Sequence, residues 1–231
     1  MPKIIILMLI LNNVWAVDSF PPPFTAKYSL YVKGLPVGEV TRSLTAQKNG
    51  KFEFKTMAKT TGLAAFFRKM TIEEKSIFTR IKNKVQPLEY LYRQTGKKAR
   101  LKTVFFDWSQ NIANNKFKDK THRVKLEENV LDKLLYQVVL MQELQQGKRK
   151  LKYKVVSKGK ITTYIPKFLG TESIKTGVGK FKTLKYSKIS NNRRTTLWCA
   201  TKLHYLPIQV EHVEKNGDVF KILLQEVRGL N

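Results

Sequence analysis

The sequence has little of what most metal sites and catalytic centres are made from. Among its 231 residues there are one cysteine and three histidines, and His122, His204 and His212 are not at the spacing of a zinc site. It contains no nucleophile elbow of the G-x-S-x-G kind and no glycine-rich phosphate loop. We therefore predict no metal, no cofactor and no catalytic residue, and the balance favours a protein that is not an enzyme.

The single cysteine also excludes an intramolecular disulfide. Cys199 lies in the apolar stretch of residues 197–200, where alternate residues of a strand face a core. No histidine or cation stands beside it at a spacing that would activate a thiol. We predict a buried side chain rather than a reactive nucleophile.

Acidic residues are scarce: 17 Asp and Glu stand against 44 Lys and Arg, for a net charge of +27. Such a charge favours binding to anionic lipid head groups and wall polymers. Lysine predominates over arginine, 34 to 10, whereas recognition of base edges prefers arginine. We expect an anionic envelope surface as a partner and no nucleic acid. The alternative is that the charge only keeps the protein in solution or reflects a general lysine bias.

No apolar run is long enough to cross a bilayer. The longest, residues 4–11, has 8 residues, whereas a spanning helix needs about 20. Lys3 precedes this run and Val14-Trp15-Ala16 follows it, the layout of a cleaved secretory signal peptide. We predict a signal peptide over residues 1–16, export to the periplasm without a lipid anchor, and a single β-rich domain over residues 17–231.

Alternation of apolar and polar residues runs through most of the chain and is typical of strands with one side facing solvent. Hairpin signals such as Asn49-Gly50 and Asn216-Gly217 separate the segments. Residues 61–70 break the alternation and form either one helical turn or an apolar loop. We predict a glycine-rich loop over 170–179 and strands over 24–32, 37–44, 51–60, 71–80, 86–93, 99–106, 111–117, 121–125, 150–157, 161–168, 180–187, 195–200, 207–213 and 219–227.

Residues 127–147 form the one long segment with helical periodicity. Asn129 is the expected N-cap and Gly147 the residue that follows the helix end. About a dozen antiparallel strands curl rather than stay flat. We therefore predict a mainly β fold, a strongly curved sheet or incomplete barrel with the helix packed on its concave face. The apolar stripe of the helix consists of Leu131, Leu134, Leu135, Val138 and either Met141 or Gln142.

A curved sheet that its helix does not fill leaves an apolar cavity. If the stripe fills the concave face completely, the protein is instead a solid domain that binds partners on its surface. The residues predicted to line such a cavity are Tyr28, Leu30, Phe52, Phe54, Phe66, Phe67, Leu131, Leu134, Leu135, Val138 and Tyr153.

Several short motifs resemble a known family. They are Leu30-Tyr31 with Gly34, Val37, Gly38 and Glu39, the stretch TGLAAFFRK at 61–69, Pro87-Leu88-Glu89-Tyr90, Phe106-Asp107-Trp108, and WCATKLHYLP at 198–207. Together they resemble domain of unknown function 3108, a family of exported proteins of Gram-negative bacteria, over nearly the whole mature chain. The resemblance implies a periplasmic setting and a mainly antiparallel β fold, and it supplies no reaction. The motif positions that we interpret as structural are Phe106, Asp107, Trp108, Asp132, Trp198 and Pro207.

Three functions remain open at this point. The leading hypothesis is a non-enzymatic periplasmic protein that holds a lipid or another apolar ligand in the curved sheet, with its basic exterior toward anionic envelope components. The second is a structural or assembly factor that binds an envelope protein or a wall polymer. The third is a hydrolase that uses Asp107 or Asp132, which we otherwise expect to cap a turn and a helix start.

Overall fold

The computed structural model describes residues 18–67, 69–81, 83–96, 99–117, 120–190 and 192–230. The predicted signal peptide lies outside these residues. Within them, none of the helices has both the length and the apolar character needed to span a membrane. The described strands are β1 Phe24–Val32, β2 Leu35–Ala46, β3 Lys51–Thr60, β4 Thr71–Ile81, β5 Lys84–Gln94, β6 Arg100–Asp107, β7 Ile112–Phe117, β8 Lys120–Lys125, β9 Val130–Leu131, β10 Tyr153–Ser157, β11 Lys160–Tyr164, β12 Lys167–Thr176, β13 Gly179–Ser190, β14 Arg193–Ala200, β15 Leu206–Val213 and β16 Val219–Arg228. The helices are α1 Gly62–Phe67 and α2 Tyr136–Gln145.

Thirteen strands form one antiparallel sheet in the order β12-β13-β14-β15-β16-β1-β2-β3-β4-β5-β6-β7-β8. The two meanders, β1–β8 and β12–β16, are joined because β1 pairs with β16 near the two ends of the chain. The edge strands β8 and β12 do not pair with each other, so the barrel stays open. The prediction of an incomplete antiparallel barrel is confirmed.

The segment between the two meanders lies against the concave face of this sheet. It contains α2 and a small sheet in the order β11-β10-β9. Phe54 and Phe78 of the large sheet, Val138 of α2 and Val155 of β10 belong to one continuous cluster of buried residues. The convex face is polar and carries ion pairs such as that between Lys55 and Glu73, with 2.8 Å between nitrogen and oxygen.

The helix is shorter than its periodicity predicts. Asn129 has a positive φ of 57° and is not an N-cap, and Val130–Leu131 forms a parallel strand with β10. A turn follows, and α2 begins only at Tyr136. Leu131 of β9, and Leu134 and Leu135 of the turn, are buried in the same core as the helix. Their spacing therefore resembles that of an apolar helical stripe, although all three precede α2. Gly147, with φ of 80°, follows the helix end as predicted.

The predicted loop over 170–179 is wrong, because most of it belongs to β12. Gly170 lies at a break in register between β12 and β13, and Gly179 begins β13, so the glycines mark a bulge and a turn rather than a loop. Between them β12 is an edge strand exposed on most of both faces. Such a strand has no apolar alternation to reveal it.

Antiparallel order assigns every connection to one of two edges of the sheet. The connections β1–β2, β3–β4, β5–β6, β13–β14 and β15–β16 leave from one of them, which we call the upper edge. The connections β2–β3, β4–β5, β6–β7, β12–β13 and β14–β15 leave from the opposite, lower edge. Helix α1 lies at the upper edge, between β3 and β4.

Candidate functional site

Nine of the eleven residues predicted to line an apolar cavity lie in the core or pack against it. Leu30 and Phe52 are half-buried beside the core. Phe66 and Phe67, which were also predicted to line a cavity, lie instead on α1 and are 85% and 79% exposed. The seven buried residues are Tyr28, Phe54, Leu131, Leu134, Leu135, Val138 and Tyr153.

Two open clefts are lined mainly by polar side chains. A groove of about 350 Å³ on the convex face is lined by Glu39, Thr41, Ser43, Lys55, Met57 and Lys59. A cleft of about 410 Å³ lies between the β4–β5 turn and α2, and Leu131 and Tyr153 line it together with Gln142 and Glu143. Neither cleft is the apolar chamber that the leading hypothesis requires.

The motif Phe106-Asp107-Trp108 holds the turn between β6 and β7. Trp108 Nε1 donates a hydrogen bond of 2.7 Å to the carbonyl of Pro87, and its ring stacks on Phe106. Asp107 accepts from Ser109 Oγ at 2.6 Å and from the backbone N–H of Gln110 at 3.0 Å. These hydrogen bonds hold the pKa of the Asp107 carboxyl below its usual value.

Trp198 belongs to a triangle of side chains on the convex face. Its Nε1 donates a hydrogen bond of 2.6 Å to Glu172, which also pairs with Lys185 at 2.7 Å. The ammonium of Lys185 lies 5.0 Å from the centre of the Trp198 ring. At the neighbouring bulge, the carbonyl of Pro207 accepts a hydrogen bond of 3.1 Å from the Tyr28 hydroxyl.

Asp132 is fully buried at the turn that leads into α2. Its Oδ1 accepts from the backbone N–H groups of Leu134 and Leu135, both at 2.8 Å, and its Oδ2 accepts from Ser76 Oγ at 2.5 Å. Burial raises the pKa of this carboxyl to about 7, against the opposing effect of those hydrogen bonds. Asp132 thus caps backbone amides, as does Asp107, which is the role that we expected of both.

A row of polar residues crosses the concave face of β2 to β6. Register places Arg42, Thr56, Glu74, Tyr92 and Lys102 side by side on five successive strands. Arg42 is buried, and its Nε has no hydrogen-bond partner among the described residues. Buried polar groups are normally paired, so an orphaned guanidinium nitrogen in this row is notable.

Three lysines lie around this row, and we call them the lysine cluster: Lys102 of β6, Lys133 of the turn before α2, and Lys188 of β13. Lys188 Nζ lies 4.0 Å from the centre of the Tyr164 ring and 5.7 Å from that of Tyr136. Lys102 Nζ lies 4.8 Å from the centre of the Tyr92 ring. The two meanders and the segment between them therefore each contribute one ammonium group.

The charge of Lys133 acts on both of the other ammonium groups. Burial, and then the charge of Lys133, lower the pKa of both Lys102 and Lys188, the latter to about 8. Within the described ranges no carboxylate lies within 4.0 Å of any of the three lysines. Glu74 of the row accepts from Tyr90 at 2.5 Å, and its charge raises the pKa of Lys102 against those two effects. The cluster can therefore attract an anion.

The sequence does not single out this cluster. The chain has 34 lysines, and the three that converge are far apart in it. Lys102 alternates with Val104 and Phe106 on a core-facing side of β6, which is the one local signal that could have revealed it.

Cys199 and His212 were also considered as candidate site residues. Cys199 is buried, and burial raises the pKa of its thiol. His212 lies on β15 and shares a hydrogen bond of 2.9 Å with Thr195. In the part of the chain that the structure describes, no group of three or more His, Cys, Asp or Glu side chains is arranged to hold a metal ion.

These features define an incomplete antiparallel barrel with a helical insertion on its concave face. The chain belongs to the family described as "Protein of unknown function (DUF3108)", which matches residues 27–225. The predicted resemblance is thereby confirmed. A search of curated proteins found no match.

Two solved structures are similar to this chain. One is a β-barrel-like protein of domain of unknown function DUF1849 from Brucella abortus, 6% identical, with a TM-score of 0.60 over 91% of this chain and 99% of that chain. At that identity the likeness shows the fold alone. The other is a "putative lipoprotein" from Parabacteroides distasonis, 12% identical over 91% of this chain and 98% of that chain, and its TM-score of 0.35 supports no inference.

Proposed function

We propose that this protein is a non-enzymatic envelope protein that binds an anionic amphipathic molecule, with the anionic head at the lysine cluster. The observation that carries the proposal is that Lys102 and Lys188 are half-buried on the concave face, each beside tyrosine rings and within reach of the charge of Lys133, and that none of the three lysines forms an ion pair among the described residues. An unpaired ammonium in a half-buried setting costs free energy. A ligand that supplies the negative charge offsets that cost, which is why perturbed ionisable groups gather at functional sites.

The chemistry of the cluster favours a phosphate or carboxylate head. Ammonium groups donate charge-assisted hydrogen bonds to either. The rings of Tyr92, Tyr136 and Tyr164 form apolar walls next to the three charges. Exposed apolar side chains such as Ile165 and Phe168 follow Tyr164 at the upper edge, where they could contact an apolar tail.

The proposal changes one part of the leading hypothesis. The ligand is still a lipid or a similar amphiphile, and the predicted periplasmic location supplies such molecules. The binding site moves from a closed apolar chamber to a polar, cationic region of the concave face. The reason is that the helix stripe is buried in the core, whereas the lysines are half-buried.

Isothermal titration calorimetry with dodecyl phosphate, below its micellar concentration, tests this. We expect saturable binding, weaker binding of inorganic phosphate, and none of dodecyl maltoside, which has the tail without the charge. Lys133→Met and Lys188→Met should each weaken binding about tenfold, since a hydrogen bond to a charged group contributes roughly 1.5 kcal/mol or more. Lys182→Met is the matched control, because Lys182 is also on β13 but exposed. Equal binding by all variants would contradict the proposal.

A second candidate, the assembly factor, is favoured by the free edge of β12. This strand has ten residues and an open row of backbone groups, and Phe168 and Leu169 on it are exposed. An extended segment of another envelope protein could add to it as a further strand. This candidate would be favoured if the wild type captured one defined envelope protein and a Glu172→Pro variant of this edge did not. In that case dodecyl phosphate should not bind.

A further inference from the structure

Helix α1 carries a group of large apolar side chains that face away from the protein. Leu63 is 80% exposed, Phe66 85% and Phe67 79%, and we call these three residues the apolar tip. The rings of Phe66 and Phe67 meet edge to face, 5.5 Å apart. Side chains of this size are seldom left in water together unless they bind something.

The base of the apolar tip is held firmly by the sheet. The backbone N–H of Thr60 donates to the carbonyl of Met70 at 3.1 Å, and that of Thr61 donates to Val37 at 3.1 Å. The β5–β6 turn supports the other side, since a Cβ added to Gly96 would lie 2.9 Å from the carbonyl oxygen of Lys69. Exposure of the three side chains is thus imposed by a hydrogen-bonded frame.

Exposed apolar residues are concentrated along the same edge of the sheet. Of the 13 large apolar side chains that are exposed in the described residues, 10 lie at the upper edge and 3 at the lower edge. Those at the lower edge are Ile81, Phe105 and Val178. The ten at the upper edge are Leu35, Leu63, Phe66, Phe67, Leu101, Ile165, Phe168, Leu169, Ile189 and Phe220.

Cations lie beside the apolar tip. Lys69 follows α1, and Arg100 begins β6 across the turn that supports it; both are exposed and neither forms an ion pair with the rest of the described chain. Lys59 lies at the end of β3, with Glu39 at 3.3 Å. The net charge of +27 gives the whole molecule a long-range attraction to anionic surfaces. An apolar group with unpaired cations near it in the fold matches the interface of an anionic bilayer, where apolar side chains enter the acyl boundary and cations meet phosphates.

We propose that the apolar tip inserts into the interface of an anionic lipid bilayer and holds the upper edge of the sheet against it. Docking is peripheral, since the tip is one short helix. The lysine cluster lies toward the same edge, because Lys102 is near the start of β6 and Lys188 near the end of β13. Docking therefore turns the upper edge of the incomplete barrel toward the membrane, but it does not depend on the ligand proposed above.

Co-sedimentation with vesicles of phosphatidylglycerol and phosphatidylethanolamine at 1:3 tests the proposal. We expect the wild type to bind, and Phe66→Ser/Phe67→Ser to lose at least about tenfold in partition coefficient, since burial of each ring contributes over 1 kcal/mol. The wild type and the double variant are compared in the same processed form, so any contribution of the N-terminal segment cancels. Phe105→Ser removes an exposed ring at the lower edge and should bind as the wild type does.

Two further measurements separate membrane insertion from general stickiness. Neutral phosphatidylcholine vesicles, or 0.5 M salt, should weaken binding, since the charge attraction is screened. A Phe66→Trp variant should show an added tryptophan emission that shifts to the blue on vesicles and is quenched by brominated lipid. Binding unchanged by the double serine variant, or an added emission in Phe66→Trp that does not move on vesicles, would overturn the proposal. Because neither readout uses dodecyl phosphate, the membrane-docking proposal can be wrong while the proposed ligand site remains correct.

Discussion

Ser76 Oγ donates a hydrogen bond of 2.5 Å to Oδ2 of Asp132, although the two residues are 56 positions apart. Ser76 is on β4 of the large sheet, and Asp132 begins the turn that leads into α2. Asp132 Oδ1 accepts from two backbone N–H groups of that turn, so one carboxyl group ties the inserted segment to the concave face. The contact therefore helps to position the insertion and Lys133, the next residue in the chain.

Replacement of Asp132 should change how stability depends on pH. The folded-state pKa is raised to about 7 from an ordinary value of 3.8, so the folded protein binds the proton more tightly than the unfolded chain does. The stability from this group is complete below about pH 4 and is lost as pH rises through 7, by about 4 kcal/mol at most. Asp132→Asn resembles the protonated form, so its free energy of unfolding should fall less than that of the wild type between pH 4.5 and 8. Urea denaturation at several pH values measures this.

Asp107→Asn is the matched control for that experiment. Asp107 also caps backbone amides, but it lies at the surface and its pKa is lowered. The pH profile of this variant should follow the wild type above pH 5. If Asp132→Asn showed the same slope as the wild type and as the control, Asp132 would be ionised in the folded state throughout, contrary to our account.

Gly38 is a motif position whose requirement for glycine the structure explains. A Cβ at this position would lie 2.2 Å from the carbonyl oxygen of Lys59 on the paired strand β3. Gly38→Ala should therefore destabilise the protein by about 2 kcal/mol or more, since the contact is with backbone. Gly34→Ala meets no atom within 4 Å and carries only the strain of its φ of 83°, about 1 kcal/mol. Thermal and urea unfolding compare the two, and an equal loss for both would contradict the steric reason.

Lys188→Met should stabilise the protein. Burial lowers the pKa of Lys188 to about 8, so the charged form pays a desolvation cost at pH 7 that methionine does not. We expect a gain of about 2 kcal/mol, whereas Lys182→Met should change stability by less than about 0.5 kcal/mol, which is typical of surface sites. A residue that binds ligand at the expense of stability should behave in this way. A loss of stability in Lys188→Met would mean that the ammonium is structurally satisfied.

The same lysine adds a pH test with a definite sign. Because its folded-state pKa lies below that of the unfolded chain, the wild type should gain stability as pH rises from about 8 toward 10.5. Lys188→Met has no titrating group at this position, so the difference in stability between the wild type and the variant should shrink over that pH range. Differential scanning fluorimetry at pH 7, 8.5 and 10 detects the change.

Local sequence patterns predict the strands well and long-range contacts poorly. The alternation predicts β1 and β3 with the bounds that the structure has, since each has one side in the core. It misses β12, whose sides are both exposed, and it misplaces the helix start, because the parallel pairing of Val130–Leu131 with β10 depends on a segment 24 residues away. Periodicity cannot distinguish burial by a helix from burial by a strand and a turn.

The candidate site could not be predicted from the sequence for a related reason. Lys102, Lys133 and Lys188 belong to three parts of the chain, and only the curl of the sheet brings them to one face. The sequence shows the apolar tip as a cluster of Leu63, Phe66 and Phe67. It does not show whether these side chains face the core or the solvent. An interior position and an exposed one have the same composition, and hydrogen bonds from Thr60 and Thr61 decide between them.

The most direct test of the account is the ionisation of Lys188 itself, with and without dodecyl phosphate. Carbon-13 NMR of the lysine Cε groups follows each ammonium through its titration, and the spectrum of Lys188→Met assigns the signal. We expect a pKa of about 8 for Lys188 in the free protein, and a rise of this pKa to about 9 or higher when the anion binds beside it. A pKa that stays the same at saturating dodecyl phosphate, or an ordinary lysine value in the free protein, would contradict a binding site at the lysine cluster.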